Sequence, residues 1–212
     1  MGARTTPAPL VALTVAAAAA VALRRTLLRW GASPEEVAAS LPGDEILPDA
    51  GVVATRASDV AAPPEEVWPW LAQLGQGRGG FYTYDALENL AGCDIHSAET
   101  VVAAWQDVAV GDQVRLAPEL GLDVADVRAG EHLVLHGGVA PGTASPPYDF
   151  TWAFVLRPDG DGGTRLVVRE RYRTAHHWVR PLLEAVSLVS FVMTERMLRG
   201  IRERAERGTV RP

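Results

Sequence analysis

The side chains best suited to chemistry are concentrated between Ala62 and Trp105, in APPEEVWPWLAQLGQGRGGFYTYDALENLAGCDIHSAETVVAAW. Tyr82, Tyr84, Asp85, Glu88 and His96 bring phenols, carboxylates and an imidazole into one irregular stretch, the groups used for proton transfer or for holding a polar ligand atom. Trp105, Trp152, Glu170 and Tyr172 complete the set of candidate ligand-binding residues. Glu170 alternates in phase with Leu166, Val168 and Tyr172. It is therefore a carboxylate on an apolar strand face, and it must be paired, for example with Arg115, or face a polar ligand group.

Other chemistries fit less well. Cys93, Asp94 and His96 invite a metal reading, but zinc needs three or four ligands and no second cluster has the spacing to complete the set, so no metal is expected. A Cys93–His96 nucleophile and base pair lacks a third group or an oxyanion motif. Gly75-Gln76-Gly77-Arg78-Gly79-Gly80 follows a helix rather than a strand, so it is not a dinucleotide loop. A hinge at a cavity mouth and a plain interhelical turn both remain open for it. The chain has no lysine, and its 20 basic residues are all arginine. Schiff-base chemistry, pyridoxal phosphate attachment and a phosphate-loop lysine are thereby excluded, and no cofactor is expected. The single cysteine excludes an internal disulfide.

The formal charge of -6 hides an asymmetry. Arg4, Arg24, Arg25 and Arg29 precede the first acid, Glu35, which leaves 16 arginines against all 26 acids in the remainder. Such an acidic body repels phosphate backbones, so nucleic acid is not an expected partner. Pro7 to Leu23 is apolar except for Thr14, near the short end of the ~17 to 25 residues that span a bilayer. Residues 1–30 are thus expected to form a membrane-spanning or membrane-anchoring helix. The arginines after the apolar run place the domain on the cytoplasmic side of a single-pass cell-membrane protein. The alternative is a secreted protein, since Ala20-Val21-Ala22 resembles a signal cleavage site.

The elements that must position the candidate residues follow from patterning. Ser33-Pro34-Glu35-Glu36 is a capping-box helix start, and Leu41 to Gly51 reads as an extended linker, giving a short helix and linker over residues 31–51. Val52 to Val60 is the first strand. Pro63-Pro64-Glu65-Glu66 opens a helix that sets Val67, Trp70, Leu71 and Leu74 on one face, and Tyr84 to Leu90 offers a second. Strands are expected at Gln113–Ala117, Gly121–Arg128, His132–His136, Tyr148–Arg157 and Thr164–Thr174. His176-His177 suits the turn before a long last helix, about Pro181 to Arg207, whose stripe runs through Leu182, Val186, Val189, Met193, Met197, Ile201 and Ala205. The apolar stretch from Leu182 to Met193 predicts deep cover on all sides.

Val60-Ala61-Ala62-Pro63-Pro64-Glu65-Glu66-Val67-Trp68 resembles the opening of SRPBCC-superfamily domains, in which a strand runs through an A-P-x-x-V-W turn into the first helix. The hairpin Asp149–Val155 with Thr164–Arg171 and the terminal helix agree, and the glycine-rich stretch is similar to uncharacterised bacterial members, many apparently membrane-anchored. The resemblance implies an α+β helix-grip fold over residues 52–208, a curved antiparallel sheet wrapped around the C-terminal helix. It also implies a cavity for a hydrophobic small molecule such as a lipid, quinone or polyketide, to be carried, sequestered or sensed. A cyclase- or dehydratase-like enzyme acting on a polyketide-like substrate is the alternative, because this fold hosts both.

Overall fold

The computed structural model describes residues 8–137, 148–174 and 177–209. His176, and all but the first residue of the turn expected at Gly137–Pro147, lie outside them. The elements in chain order are α1 (Ala8–Leu28), α2 (Pro34–Ala38), β1 (Val52–Val60), α3 (Pro64–Ala72), α4 (Asp85–Leu90), β2 (Gln113–Ala117), β3 (Leu120–Arg128), β4 (His132–His136), β5 (Asp149–Pro158), β6 (Thr164–Arg173) and α5 (Arg180–Thr209). The strands form one sheet in the order β1-β6-β5-β4-β3-β2, with every neighbouring pair antiparallel. This α+β arrangement with a long C-terminal helix fits the helix-grip fold.

Strand alternation decides which side chains reach the helix. On β5 and β6, Phe154, Leu156, Leu166 and Val168 face inward and join Met197, Leu198 and Ile201 of α5 in the main core. Val67, Trp70, Leu71 and Leu74 of α3 close the same core, the face their spacing predicts. Gly200 permits the close approach of α5 to the chain beneath it, because a Cβ there would collide with the Tyr82 carbonyl oxygen. Gly200→Ala is therefore expected to lose up to about 2 kcal/mol. The backbone clash, about 1–3 kcal/mol, outweighs the ~1 kcal/mol that alanine gains in helix propensity. A urea titration should show a lower midpoint at unchanged slope, and an unchanged midpoint would contradict the packing.

The outer face of β6 carries arginines where the inner face carries aliphatics. Arg165 reaches Glu36 at 2.8 Å, and Glu36 also caps α2 in the predicted capping box. That guanidinium holds the Glu36 carboxyl below its usual range, although burial pushes the other way. Arg169 binds Asp44 at 2.6 Å and the carbonyls of Glu36, Val37 and Ala39, and Arg171 binds Asp44 and the Leu47 carbonyl. Leu41 and Leu47 are buried beneath this lattice. The segment expected as an extended linker is instead a clasp on the sheet, since the outward arginines would otherwise lack acceptors.

Two helix expectations are corrected. Among the described residues no helix is long and apolar enough to cross a membrane. Arg24 and Arg25 interrupt the apolar run, and the end of α1 docks on the domain instead. Leu28 is buried, Trp30 meets Phe191 edge-on, and Arg24 pairs with Glu184 of α5. On α5 the expected stripe holds at Met197, Ile201 and Ala205, which are buried, and fails only at Leu182 and Val189 in the first half of the helix. Leu183 and Ser187 are buried, whereas Leu182, Leu188, Val189 and Val192 are exposed. The reason is polar: Ser190 and Thr194 must face a buried charge on β6, which turns the apolar residues beside them outward.

Candidate functional site

Between the sheet and α5 lies a cavity of about 260 Å³, just below the ~300–1,000 Å³ of small-molecule sites. Aromatics make one wall. Trp152 stacks on Phe81 with centroids 5.9 Å apart and meets Phe154 at 4.8 Å and Phe150 at 6.4 Å. Leu122 from β3 and Val186, Met193 and Met197 from α5 supply the aliphatic side.

The floor is a buried charge cluster. Glu170 and Arg56 pair at 2.8 Å with side chains 2% and 1% exposed. The Glu170 carboxylate also accepts from Tyr172 at 3.0 Å, Ser190 at 2.5 Å and Thr194 at 2.8 Å. Burial, reinforced by the Glu170 charge, pushes the Tyr172 phenol well above its usual range, so it stays a neutral donor. With an ion pair and three hydroxyls, Glu170 is satisfied within the protein. Its partner is Arg56 rather than Arg115, which is exposed on the edge strand β2.

The rim is built by the segment from Phe81 to Ser97. Asp85 accepts from the Ser97 backbone amide at 2.7 Å and its hydroxyl at 2.6 Å, and Asn89 clamps Ile95 through both amide atoms. This bonding fixes α4 so that Phe81, Thr83 and Glu88 line the cavity. Tyr82 lies between them with φ 58° and turns under α5, where its hydroxyl donates to the Trp70 carbonyl at 3.1 Å and Arg204 sits 4.8 Å over its ring.

Of the nine residues singled out by sequence, Glu88, Trp152, Glu170 and Tyr172 line the cavity. The other five do not. Tyr82 is in the core, Asp85 ties the rim, Tyr84 is exposed, Trp105 lies in a short 3₁₀ turn (Ala103–Trp105), and the His96 side chain is 81% exposed. Tyr84, Asp85 and His96 therefore do not converge with the three titratable candidates that do line the cavity, Glu88, Glu170 and Tyr172. Phe81, Thr83, Arg56, Ser190 and Thr194 were missed. Arg56 carried the signal that marked Glu170, since it alternates in phase with Val52, Ala54 and Val60. The Gly75–Gly80 stretch is a turn closed on itself, with amide to carbonyl bonds of 3.0 Å in both directions between Gly75 and Gly80, and it does not line the cavity. Among the described residues no group of three or more His, Cys, Asp or Glu could hold a metal ion.

Glu88 differs from Glu170. Burial raises its carboxyl above the usual range, the charge of Asp85 adds to this, and the nearby Thr83 hydroxyl works against it. A raised carboxyl contributes most to stability below its unfolded pKa and loses that contribution as pH rises through the folded value. Glu88→Gln should therefore match the parent in thermal stability near pH 4 and exceed it above pH 7. Equal stability at both ends would refute the burial of this charge.

No protein-family model matches the chain, and no curated protein matches it significantly. Solved structures that it resembles include protein MLL2253 from Mesorhizobium loti, at 14% identity and TM-score 0.44 over 74% of this chain and 98% of that one. CalU16 from Micromonospora echinospora follows at 18% identity and TM-score 0.35, over 73% and 84% of the two chains. DynU16, from the dynemicin biosynthetic locus, shows 17% identity and TM-score 0.40 over 69% of this chain and 46% of its own. The fold assignment rests on this chain's strand order and terminal helix, not on those likenesses.

Proposed function

We propose that this chain binds a hydrophobic small molecule in the cavity between sheet and α5, as a carrier or sensor. The observation that supports this is the cavity itself, walled by Phe81, Phe150, Trp152, Leu122 and Met193. Of the titratable residues that line the cavity, Tyr172 donates to Glu170 and Glu170 is saturated by its four donors, which leaves Glu88 and Tyr148 for any acid–base chemistry of a cyclase or dehydratase. The uptake site is a lipid surface. Leu13, Val15, Val21 and Leu23 of α1 and Leu188, Val189 and Val192 of α5 are exposed, and Arg24, Arg25 and Arg29 follow the apolar run; basic residues there would meet anionic headgroups.

One preparation tests both statements. Delipidated protein is mixed with phosphatidylglycerol vesicles doped with a bacterial lipid extract, floated, recovered and weighed by native mass spectrometry. The expected result is co-flotation and a retained ligand mass, with the mass lost in Val186→Trp, where the indole fills the cavity. A parent protein that retains nothing would rule out the binding reading, and one that retains ligand without floating would remove the lipid surface.

A further inference from the structure

Three buried polar atoms have no hydrogen-bond partner among the described residues, and all three belong to side chains of residues that line this one cavity: Thr83 Oγ1, Glu88 Oε2 and Trp152 Nε1. Leaving such a group unpaired costs about 1–3 kcal/mol, and native folds rarely keep several in one place without a use for them. The contrast with the floor is informative. Every oxygen of Glu170 has donors from within the protein, so the floor has no capacity left for a ligand.

The chemistry of the three atoms is specific. An indole N–H can only donate, a hydroxyl donates or accepts, and a carboxylate accepts. A ligand hydroxyl matches all three, because its oxygen accepts from Trp152 and Thr83 while its proton goes to Glu88. The lining also decides against charge. It contains two carboxyl groups, Glu88 and Glu170, and among the described lining residues no arginine or histidine. Arg56 is engaged with Glu170, Ser190, Thr194 and the carbonyls of Leu27 and Ser187. A carboxylate or phosphate would find no free cation in the lining, Arg56 being committed to Glu170, and would lie beside a second carboxyl group, Glu88.

We propose that Thr83, Glu88 and Trp152 form a recognition end for an uncharged, hydroxyl-bearing apolar ligand, an alcohol or phenol, and that the cavity discriminates against fatty acids and phosphate-bearing lipids. This rests on the binding reading above. It goes further by assigning the head-group chemistry and the residues that read it. Phe81 and Phe150 flank Trp152 and hold the indole in the wall, so the ligand's apolar body lies against aromatic faces while its hydroxyl is read at one end.

The test is calorimetric titration with three matched probes: 2-naphthol, naphthalene and 2-naphthoate. The parent protein is expected to bind 2-naphthol about ten-fold more tightly than naphthalene, the factor one well-made hydrogen bond to a charged group supplies, and naphthoate more weakly than either. Trp152→Phe keeps the ring and removes the N–H. Glu88→Leu removes the acceptor from a helix whose other contacts are intact. Each variant should lose most of the naphthol preference, read as the ratio of naphthol to naphthalene affinity within that variant. Equal binding of naphthol and naphthalene by the parent, or a preference for naphthoate, would overturn the recognition end and leave the apolar cavity standing. An unchanged naphthol preference in both variants would also overturn it. Binding of none of the three probes would remove the cavity reading as well.

Discussion

Arg56→Met is expected to lower folding stability by about 3–5 kcal/mol, the cost of removing one partner of a buried ion pair. The pair is almost fully enclosed, at 1% and 2% exposure, so solvent screens little of the attraction. Tyr172, Ser190 and Thr194 would still donate to Glu170, but three neutral dipoles do not replace a cation. The guanidinium also donates to the Leu27 carbonyl at 3.1 Å, so its loss loosens the seat of α1. Joining Glu170→Leu to Arg56→Met should recover most of the loss, since an apolar pair of similar volume removes both desolvation penalties. Urea unfolding of the two single variants, the double variant and the parent gives the coupling directly. A single-variant loss below ~1 kcal/mol would mean that the Arg56–Glu170 pair does not support the fold as its burial requires.

The same pair shows what the sequence made legible. Period-two alternation located the strands and identified Glu170 as an inward carboxylate, because a strand face is a local property. It also marked Arg56, but nothing local says that β1 lies against β6 rather than beside Arg115 on β2. That partnership is set by strand order, which brings residues 114 positions apart together. The long helix was legible as a helix and its stripe correct from Met197 onward but misplaced in the first half, because hydropathy alone favours Leu182 and Val189 over Ser187 and Ser190. The buried hydroxyls are explained only once the charge beneath them is known. At the rim the error was one residue: Tyr82 and Tyr84 looked more functional than Phe81 and Thr83. The positive φ of Tyr82 turns its ring away from the cavity and under α5.

The stretch between α2 and β1 gives the second large effect. Asp44→Ala is expected to cost about 3 kcal/mol, toward the lower end for breaking a buried pair, because Asp44 is the meeting point of the clasp. One oxygen accepts from Arg169 and from the Leu41 amide, and the other from Arg171. Arg169 is 3% exposed. Without Asp44 its charge would face only backbone carbonyls and the Thr55 hydroxyl, and Leu41 and Leu47 would lose the anchor that keeps them on the sheet. Asp44→Asn keeps an acceptor and removes the charge, so it should fall between Asp44→Ala and the parent. Hydrogen exchange separates the clasp from a resting linker: amides of residues 41–51 should exchange faster in Asp44→Ala while those of β4 and β5 keep their relative protection. Unchanged exchange over 41–51, with a stability loss under ~0.5 kcal/mol, would show that this segment rests on the sheet without supporting it.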